Sequence, residues 1–371
     1  MTENARGILK LTSRGAGLLL DPERAFRPAG GDVRVPARLV REYGLVEGAN
    51  VTGPVQAGKR GPELAAVAAI SGLSPKQFRG RTPFDRLIAV SPSERFRLAA
   101  GGEISMRVVD LIAPIGKGTR GLIVSPPKAG KTTLLARIAR GLRASDPDTR
   151  IIMLLIDERP EEVTYFRRSV DAEVFASSSD QPIREHVALI ELMLAHIRVE
   201  LECGRDVVVL VDSLTRLVRA FNLRGATGRD RGRSLSGGLE AGAVEVPRRF
   251  FGLARAVEGG GSVTIIATAL VDTGSRMDQV IYEEFKGTGN SELVLDRTLA
   301  EAAIYPAINL LASSTRNEDR LYDGDDVQRL ARLRRALAKR SPRAALTGLL
   351  ELLERYPTNA GLLQAIPVTN T

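Results

Sequence analysis

The feature that most constrains the fold is a strand, a tight loop and a helix that follow one another directly over residues 121–138. The apolar run that ends at Val124 is typical of a strand covered on both faces of a sheet. The loop closes on Gly130, Lys131 and Thr132, and apolar residues at helical spacing follow it. Backbone N–H groups of such a loop and of the helix N-terminus point at one spot, which is the arrangement that holds phosphate groups.

This segment predicts a site for a nucleoside triphosphate, and ATP with Mg²⁺ is the pair that we expect. Lys131 would reach the β- and γ-phosphates, and the Thr132 hydroxyl would hold Mg²⁺. The usual loop has glycine at its first position, where this chain has Ser125, so the match to the pattern is imperfect. The alternative interpretation is an ordinary surface turn.

Two further apolar runs end in carboxylates. The run at 151–156 is followed by Glu158, and the run at 207–211 is followed by Asp212. The carboxyl ends of parallel strands lie at one edge of a sheet, beside the phosphate loop. We therefore expect Asp212 to complete the Mg²⁺ site with Thr132, and Glu158 to orient and polarise the attacking water. Taken singly, each acid could instead be a helix cap.

The chain is too long for one ordinary core, and its segments predict two domains. Residues 1–6 predict a disordered end. Residues 7–73 contain short alternating runs between turn glycines, which predict a small OB-type barrel. Residues 74–100 are rich in proline and arginine and predict a linker. In residues 101–371, apolar strands alternate with helical stretches, which predicts an α/β domain with a parallel sheet and C-terminal helices.

Composition narrows the class of partner only in part. The net charge of +9 and the pI of about 10 favour polyanions such as nucleic acid or anionic membrane, although an arginine-rich proteome predicts the same balance. Trp is absent and aromatic residues make up 4%, which is few for a protein that stacks bases on rings. Cys203 is the single cysteine, so no internal disulfide can form. Neither a membrane-spanning apolar run nor a signal-peptide core is present, so we expect a cytoplasmic protein without a membrane partner.

Five long stretches of the chain resemble bacterial transcription termination factor Rho, a family of hexameric RNA-dependent ATPases and helicases. They are residues 125–132, 154–164, 211–217, 265–277 and 281–290. The resemblance is close over about 105–320 and looser elsewhere. It implies a RecA-like P-loop ATPase domain after an OB or cold-shock-like barrel that binds RNA. It also implies a homohexamer, single-stranded RNA as the polymer bound, and RNA polymerase and elongation factors as partners.

The resemblance also implies roles for particular residues. The nucleotide-binding set comprises Ser125, Lys128, Ala129, Gly130, Lys131, Thr132, Thr133, Asp212 and Tyr305. Within that set, Tyr305 matches the position where the family packs an aromatic ring on adenine. Glu158 would activate water, and Arg159 would sit beside the nucleotide as a gate. Arg316 matches the family's arginine finger, which a neighbouring subunit supplies to the γ-phosphate.

Two loops are expected to grip RNA in the central channel of the ring. One lies around 229–238, where Arg233 matches the family's basic position, and the other is Thr273-Gly274-Ser275-Arg276. The residues themselves support the first loop, because 222–238 is rich in Gly and Arg, as suits a phosphate backbone. The alternative is a solvent loop without a ligand.

The chain departs from the family at several positions. Ala16 and Leu18 stand where the family has two rings that stack on RNA bases, and Leu20 replaces a basic residue expected there. Losing two rings should weaken RNA loading on the barrel by two or more powers of ten, since stacking contributes about 1–3 kcal/mol per base.

Further along the chain, Ala302-Ala303 replaces a Lys-Arg pair, and the basic channel loop is about three residues longer than usual. We also expect no counterpart of the helical segment that precedes the barrel in the family. Two alternatives to a terminator therefore stay open: a Rho-like ATPase with another client, or a nucleotide-binding regulatory ring. A secretion or rotary ATPase of the same RecA-like class is a more distant alternative.

Overall fold

The computed structural model describes residues 4–226 and 236–368, and it begins with a small closed barrel. The barrel elements are β1 (Asn4–Leu11), β2 (Gly17–Leu20), β3 (Val33–Val35), α1 (Ala37–Tyr43), β4 (Asn50–Gly58), β5 (Gly61–Leu64) and β6 (Ala69–Ile70). The strand order is β1-β2-β3-β5-β4, with β4 returning to β1 and β6 added beside β4. All these pairs are antiparallel except β3 with β5, which are parallel. The prediction of an OB-type barrel is confirmed.

The barrel interior follows from the two-residue period of its strands. Leu9, Leu19, Val51 and Leu64 point inward and are almost completely buried. The predicted disordered end at 1–6 is wrong from Asn4 onward. Residues 4–6 pair with β4 and extend the first strand, because β4 is long enough to offer them backbone partners.

Residues 74–100, predicted as a linker, are packed against both domains. They contain α2 (Pro75–Arg79), whose N-terminus is capped reciprocally by Ser74 and Gln77, and the short strand β7 (Ala89–Val90). Phe78 is buried in the barrel core and Phe96 in the core of the second domain. These two rings therefore anchor the connecting segment at both ends.

The second domain is a large α/β unit. Its strands are β8 (Arg120–Ser125), β9 (Arg150–Glu158), β10 (Glu173–Ser178), β11 (Asp206–Asp212), β12 (Arg255–Val257), β13 (Ser262–Leu270), β14 (Ser291–Val294) and β15 (Ser314–Thr315). Its helices are α3 (Ile104–Ile112), α4 (Lys131–Ser145), α5 (Pro160–Ser169), α6 (Ile183–Glu202), α7 (Leu214–Ala226), α8 (Glu245–Phe251), α9 (Arg276–Lys286), α10 (Arg297–Glu301), α11 (Gly324–Leu337), α12 (Pro342–Arg355) and α13 (Asn359–Gln364).

The sheet order is β10-β9-β11-β13-β8-β14-β15, and the strands are parallel as far as β14. The short strands β15, β12 and β7 pair antiparallel with their neighbours. Apolar clusters cover both faces of the sheet, as its continuous apolar strands predict. The RecA-like fold class is confirmed. Within the described residues, no helix combines the length and the apolar sequence needed to cross a bilayer.

The barrel is docked on α6 by a close backbone approach. A Cβ on Gly48, whose φ is +85°, would lie 2.4 Å from the backbone N of His196. The buried His196 ring contacts the Gly48 carbonyl at 2.7 Å and Arg150 Nη1 at 2.7 Å. Burial, and then the Arg150 charge, lower the pKa of His196 to about 4, so the ring is neutral at physiological pH. Arg81 adds an ion pair to Glu202 on the same helix at 2.9 Å.

Candidate active site

The phosphate loop joins the carboxyl end of β8 to the N-terminus of α4. The buried Ser125 ends β8, and its hydroxyl donates to the Pro126 carbonyl at 2.9 Å. Lys128 and Gly130 both adopt left-handed conformations, with φ of 63° and 93°. Such a turn favours glycine at its tightest point and directs successive N–H groups into one concavity. Helix α4 begins at Lys131, as the sequence predicts.

Lys131 lies between the two carboxylates that the sequence singled out. Its Nζ is 2.5 Å from Asp212 Oδ1 and 3.3 Å from Glu158 Oε1. Both acids are buried, because they end the adjacent strands β11 and β9 at the edge of the sheet where α4 begins. The three side chains thus form one charged cluster beside the phosphate loop.

A β-bulge decides which of two successive acids enters this cluster. Ser177 pairs with Ile156 but Ser178 pairs with Glu158, so Asp157 is the extra residue in its strand. Asp157 has a φ of 55°, and the bulge turns Glu158 inward while Asp157 stays partly exposed. The local irregularity therefore selects Glu158 as the buried acid.

The charge cluster shifts the pKa of both kinds of group. Burial and the neighbouring charge of Asp212 raise the pKa of Glu158 to about 7, against the opposing charges of Lys131 and Arg216. Burial acts to lower the pKa of Lys131, but the charges of Asp212 and Glu158 outweigh it and the pKa is raised. Glu158 thus has the proton affinity of a base that works near neutral pH.

The oxygen atoms near Lys131 suit a Mg²⁺ ion that is shared with a nucleotide. Asp212 Oδ2 is buried and has no hydrogen-bond partner among the described residues, while Oδ1 accepts from Thr268 at 2.8 Å. Thr132 Oγ1 lies 3.3 Å from Glu162 Oε2. No group of three His, Cys, Asp or Glu side chains in residues 4–226 and 236–368 could hold a metal ion alone. Few protein oxygens at the site are typical of Mg²⁺, which takes its other ligands from phosphates and water.

A cavity of about 290 Å³ lies beside the phosphate loop and could receive a nucleotide base. Tyr305 forms part of its wall, with its side chain half exposed and its ring close to Gly130. The Tyr305 hydroxyl donates to the Ala300 carbonyl at 3.4 Å. Ala129 and Thr133 complete the floor nearest the loop. A flat base inserted here would contact the face of an aromatic ring.

Arg316 lies at the other end of β14 from the phosphate loop. Its backbone N–H donates to the Asn290 carbonyl at 2.8 Å, immediately before β14 begins. Ser291 pairs with Gly121 near the start of β8, whereas the loop follows Ser125 at its end. At about 3.3 Å per residue, at least about 13 Å of strand separates Arg316 from the loop. Arg316 therefore does not contact the phosphate loop of its own chain. Arg159, the predicted gate, is exposed at the N-terminus of α5.

The described parts of the two predicted RNA loops lie against each other. A Cβ on Gly237 would be 3.1 Å from the Met277 backbone, directly after the second loop. Gly274 has a φ of 76°, the Ser275 hydroxyl caps α9, and Arg276 is exposed. Arg233, together with Arg229 and Arg231, lies outside the described residues.

Helix α7 connects these loops to the charge cluster. Near its start, Arg216 contacts Glu158 Oε1 at 3.1 Å and Asp157 Oδ2 at 3.1 Å. One turn further, Arg219 makes a two-pronged contact with the buried Asp278 of α9, at 2.9 and 2.7 Å. The helix ends at Ala226, directly before the undescribed segment. The sequence alone did not point to Arg216, because its two carboxylate partners lie on β9, almost sixty residues earlier in the chain.

The fold and the site together define a RecA-like P-loop ATPase that carries an OB-type barrel. Residues 105–315 match the ATP synthase alpha/beta family, nucleotide-binding domain. Two curated relatives are both named Transcription termination factor Rho. The Akkermansia muciniphila protein is 46% identical over 364 residues, covering 96% of this chain and 76% of that protein. The Aquifex aeolicus protein is 46% identical over 369 residues, covering 97% and 84%.

The chain belongs to the transcription termination factor Rho family. Among solved structures, an ATPase from the type III secretion system of pathogenic bacteria matches with a TM-score of 0.60 and 23% identity, covering 77% of this chain and 78% of that one. That likeness concerns the fold alone. Because the chain belongs to the Rho family and contains the ATP synthase alpha/beta nucleotide-binding domain, it is an ATP-hydrolysing enzyme.

Proposed function

We propose that the protein is a homohexameric RNA-stimulated ATPase that moves along nascent RNA and terminates transcription. The observation that carries the proposal is the position of the Lys131 ammonium group between Asp212 and Glu158, beside the phosphate loop. This is the constellation that phosphoryl transfer to water requires: a cation for the phosphates, an acid for the metal and a base for the nucleophile.

In the proposed reaction, the phosphates of ATP lie on the N–H groups of the loop and of α4. Lys131 turns from the carboxylates to the β- and γ-phosphates, and Thr132 and Asp212 would hold Mg²⁺. Bound Mg²⁺ neutralises charge on the phosphate oxygens. Glu158, freed from Lys131, accepts the proton of the water that attacks the γ-phosphate, and the bond from the γ-phosphorus to the bridging oxygen breaks so that ADP leaves with that oxygen. Tyr305 would stack on the adenine.

The position of Arg316 supports a ring-shaped assembly of subunits. The transition state of phosphoryl transfer needs positive charge at the γ-phosphate, and Arg316 lies too far along β14 to provide it to its own site. A neighbouring copy can provide it, and repeated head-to-tail contacts of this kind close into a ring. We propose six subunits, as the family resemblance implies.

Single-stranded RNA is the proposed polymer, held by the loops that meet beside the start of α9. A structural change caused by nucleotide binding or hydrolysis would be transmitted to those loops by α7. This helix contacts Glu158 through Arg216 and α9 through Arg219. The helix is rigid over about 20 Å, so a displacement of its first turn moves its far end. RNA polymerase and elongation factors are the proposed partners, and the cytoplasm the proposed location.

A second candidate is an ATPase whose client is not nascent RNA, and the barrel favours it. The barrel residues 7–73 contain two aromatic residues, Phe26 and Tyr43. Phe26 is buried against Phe175 of the ATPase domain, and Tyr43 is packed against the barrel core. Leu18 is itself partly buried against the interdomain core. Of the two rings in residues 7–73, Phe26 is therefore buried and Tyr43 partly buried, so neither is a fully exposed platform for an RNA base.

The test is the rate of ATP hydrolysis with and without RNA and DNA homopolymers, with Lys131→Ala as the inactive control. We expect hydrolysis that RNA stimulates and DNA does not, and none in the variant. Stimulation followed by release of transcripts from stalled elongation complexes supports termination. Hydrolysis indifferent to RNA supports the second candidate, and near-normal turnover in Lys131→Ala contradicts both.

A further inference from the structure

The buried hydroxyl of Thr268 contacts the carboxylate that is proposed to hold Mg²⁺. Thr268 is completely buried on β13, and the two residues on either side of it along the strand are apolar. Ala267 pairs with the residue before Asp212, so Asp212 and Thr268 lie side by side on adjacent strands. The Thr268 Oγ1 donates to Asp212 Oδ1 at 2.8 Å. A hydroxyl in the middle of a sheet needs such a partner, because burying it without one costs free energy.

The contact with Asp212 is the closer of two that the Thr268 hydroxyl makes. The Val211 carbonyl lies 3.4 Å from Oγ1, beyond the usual range for a hydroxyl donor, against 2.8 Å for the carboxylate. A hydroxyl has one proton to donate, so the carboxylate receives it. Valine has nearly the shape of threonine and prefers strands as strongly, so packing alone does not require a hydroxyl at this position.

Within the described residues, Asp212 accepts hydrogen bonds from Lys131 and Thr268, both through Oδ1. The Lys131 Nζ is 2.5 Å from that oxygen, whereas Oδ2 is buried and has no partner. In the proposed reaction, Lys131 leaves Asp212 to bind the phosphates. The Thr268 contact then remains, because β13 is held between β11 and β8 by backbone pairing. Without it, the buried carboxylate would lose both donors at that step, at a large cost in free energy.

We propose that Thr268 is a positioning residue that keeps Asp212 in place and hydrogen-bonded when Lys131 turns to the nucleotide. Thr268 does not touch the nucleotide, and it acts through Asp212. Hydrogen-bond partners of this kind orient the ligands of a metal ion, and the loss of one typically weakens metal binding about 10–100-fold. The inference rests on the proposed function and adds a residue to its nucleotide site.

The test is calorimetric titration of the full-length protein with ADP and Mg²⁺, together with thermal unfolding of the nucleotide-free protein. Thr268→Val should lower the affinity for ADP about ten-fold or more. It should change the unfolding temperature little, because Lys131 still pairs with Asp212 in the nucleotide-free protein. Thr268→Ser retains the hydroxyl and should restore most of the affinity.

The matched control is Thr264→Val, which removes a second buried hydroxyl from the same strand. Thr264 is completely buried, and its Oγ1 accepts from the Gly118 N–H at 2.8 Å. It precedes Thr268 by four residues, or about 13 Å of strand. This variant should lower the unfolding temperature, because the Gly118 N–H loses its partner, and it should leave the affinity for ADP unchanged. Opposite patterns in the two valine variants distinguish positioning from a general loss of packing.

The outcomes separate this inference from the proposed function. A wild-type affinity in Thr268→Val overturns the inference, as does an equal loss of affinity in Thr268→Ser. If Thr268→Val does not fold, Thr268→Ser is compared with Thr268→Ala, which lacks the hydroxyl, and equal affinities overturn the inference. If wild-type affinity is the same in Mg²⁺ and in EDTA, the proposed metal role of Asp212 is refuted. A loss in Thr268→Val that Thr268→Ser restores then still sustains the positioning role. If the wild-type protein binds no ADP, both are wrong.

Discussion

Replacing Glu158 with glutamine should stabilise the nucleotide-free protein at alkaline pH while it stops hydrolysis. The pKa of Glu158 is raised from the ordinary 4.5 to about 7, so the fold favours the protonated carboxyl. In the wild-type protein, stability is therefore lost as pH rises from about 4.5 to about 7, and it stays lost above that range. The rise corresponds to about 3 kcal/mol of folding free energy. Glutamine imitates the protonated acid and avoids this loss at every pH.

The assay is thermal unfolding at fixed protein concentration, without nucleotide or Mg²⁺, between pH 5 and pH 9. The unfolding temperature of Glu158→Gln should exceed that of the wild type by on the order of 5 °C at pH 8, and by little at pH 5. Glu161→Gln, an exposed position in the first turn of α5, should show no such pH-dependent difference.

The same change should leave ATP binding intact and remove turnover, because the base that accepts the water proton is gone. In the wild-type protein, turnover should fall as pH drops below about 7, where Glu158 becomes protonated. A difference in unfolding temperature that is the same at pH 5 and pH 8 would refute the reasoning about the buried charge.

Three further predictions concern the ring, the loops and the barrel. Arg316→Ala should lose ATPase activity and regain part of it when mixed with Lys131→Ala subunits; exchange of subunits without any recovery would contradict the shared site. Asp278→Asn should weaken the contact with Arg219 and reduce RNA stimulation several-fold while ATP binding is kept, as measured by turnover with and without RNA; unchanged stimulation would rule out coupling through α7 and α9. Gly48→Ala should push the barrel off α6, because its Cβ would meet backbone at 2.4 Å, and limited proteolysis within 74–100 should become faster; wild-type cleavage rates would count against that packing.

Much of the fold could be predicted because its signals are local. The apolar runs at 151–156 and 207–211 are too continuous for surface strands, and both became central strands of the sheet. The alternation in 7–11 predicted a barrel strand for the same kind of reason. Proline interrupts the periodicity of residues 74–100, which predicts a linker. The packing of this segment against both domains could not be predicted, because Phe78 and Phe96 are buried by partners that are distant in sequence.

Part of the candidate site could likewise be predicted from local sequence, and part depends on contacts between distant segments. The loop before Lys131 and the acids at the strand ends could be read from neighbours in sequence. The bulge at Asp157 could not, because it depends on how β10 pairs with β9. The role of Arg216 could not be predicted either, because its contact with Glu158 exists only once β9 and α7 are packed together. The roles of Tyr305 and Arg316 came from family resemblance and remain predictions.

The ion pairs of Lys131 have a consequence for how quickly the enzyme can release its product. Because Asp212 and Glu158 already satisfy the ammonium group, an incoming nucleotide must compete with them for it. The net affinity for nucleotide then reflects the difference in free energy between the contacts of Lys131 with the phosphates and its contacts with the two carboxylates. In the proposed reaction, the two carboxylates would bind Lys131 again once phosphate has left, and this would favour release of the remaining ADP. Such an arrangement suits an enzyme that must release its product in every catalytic cycle. It does not suit a protein that retains bound nucleotide.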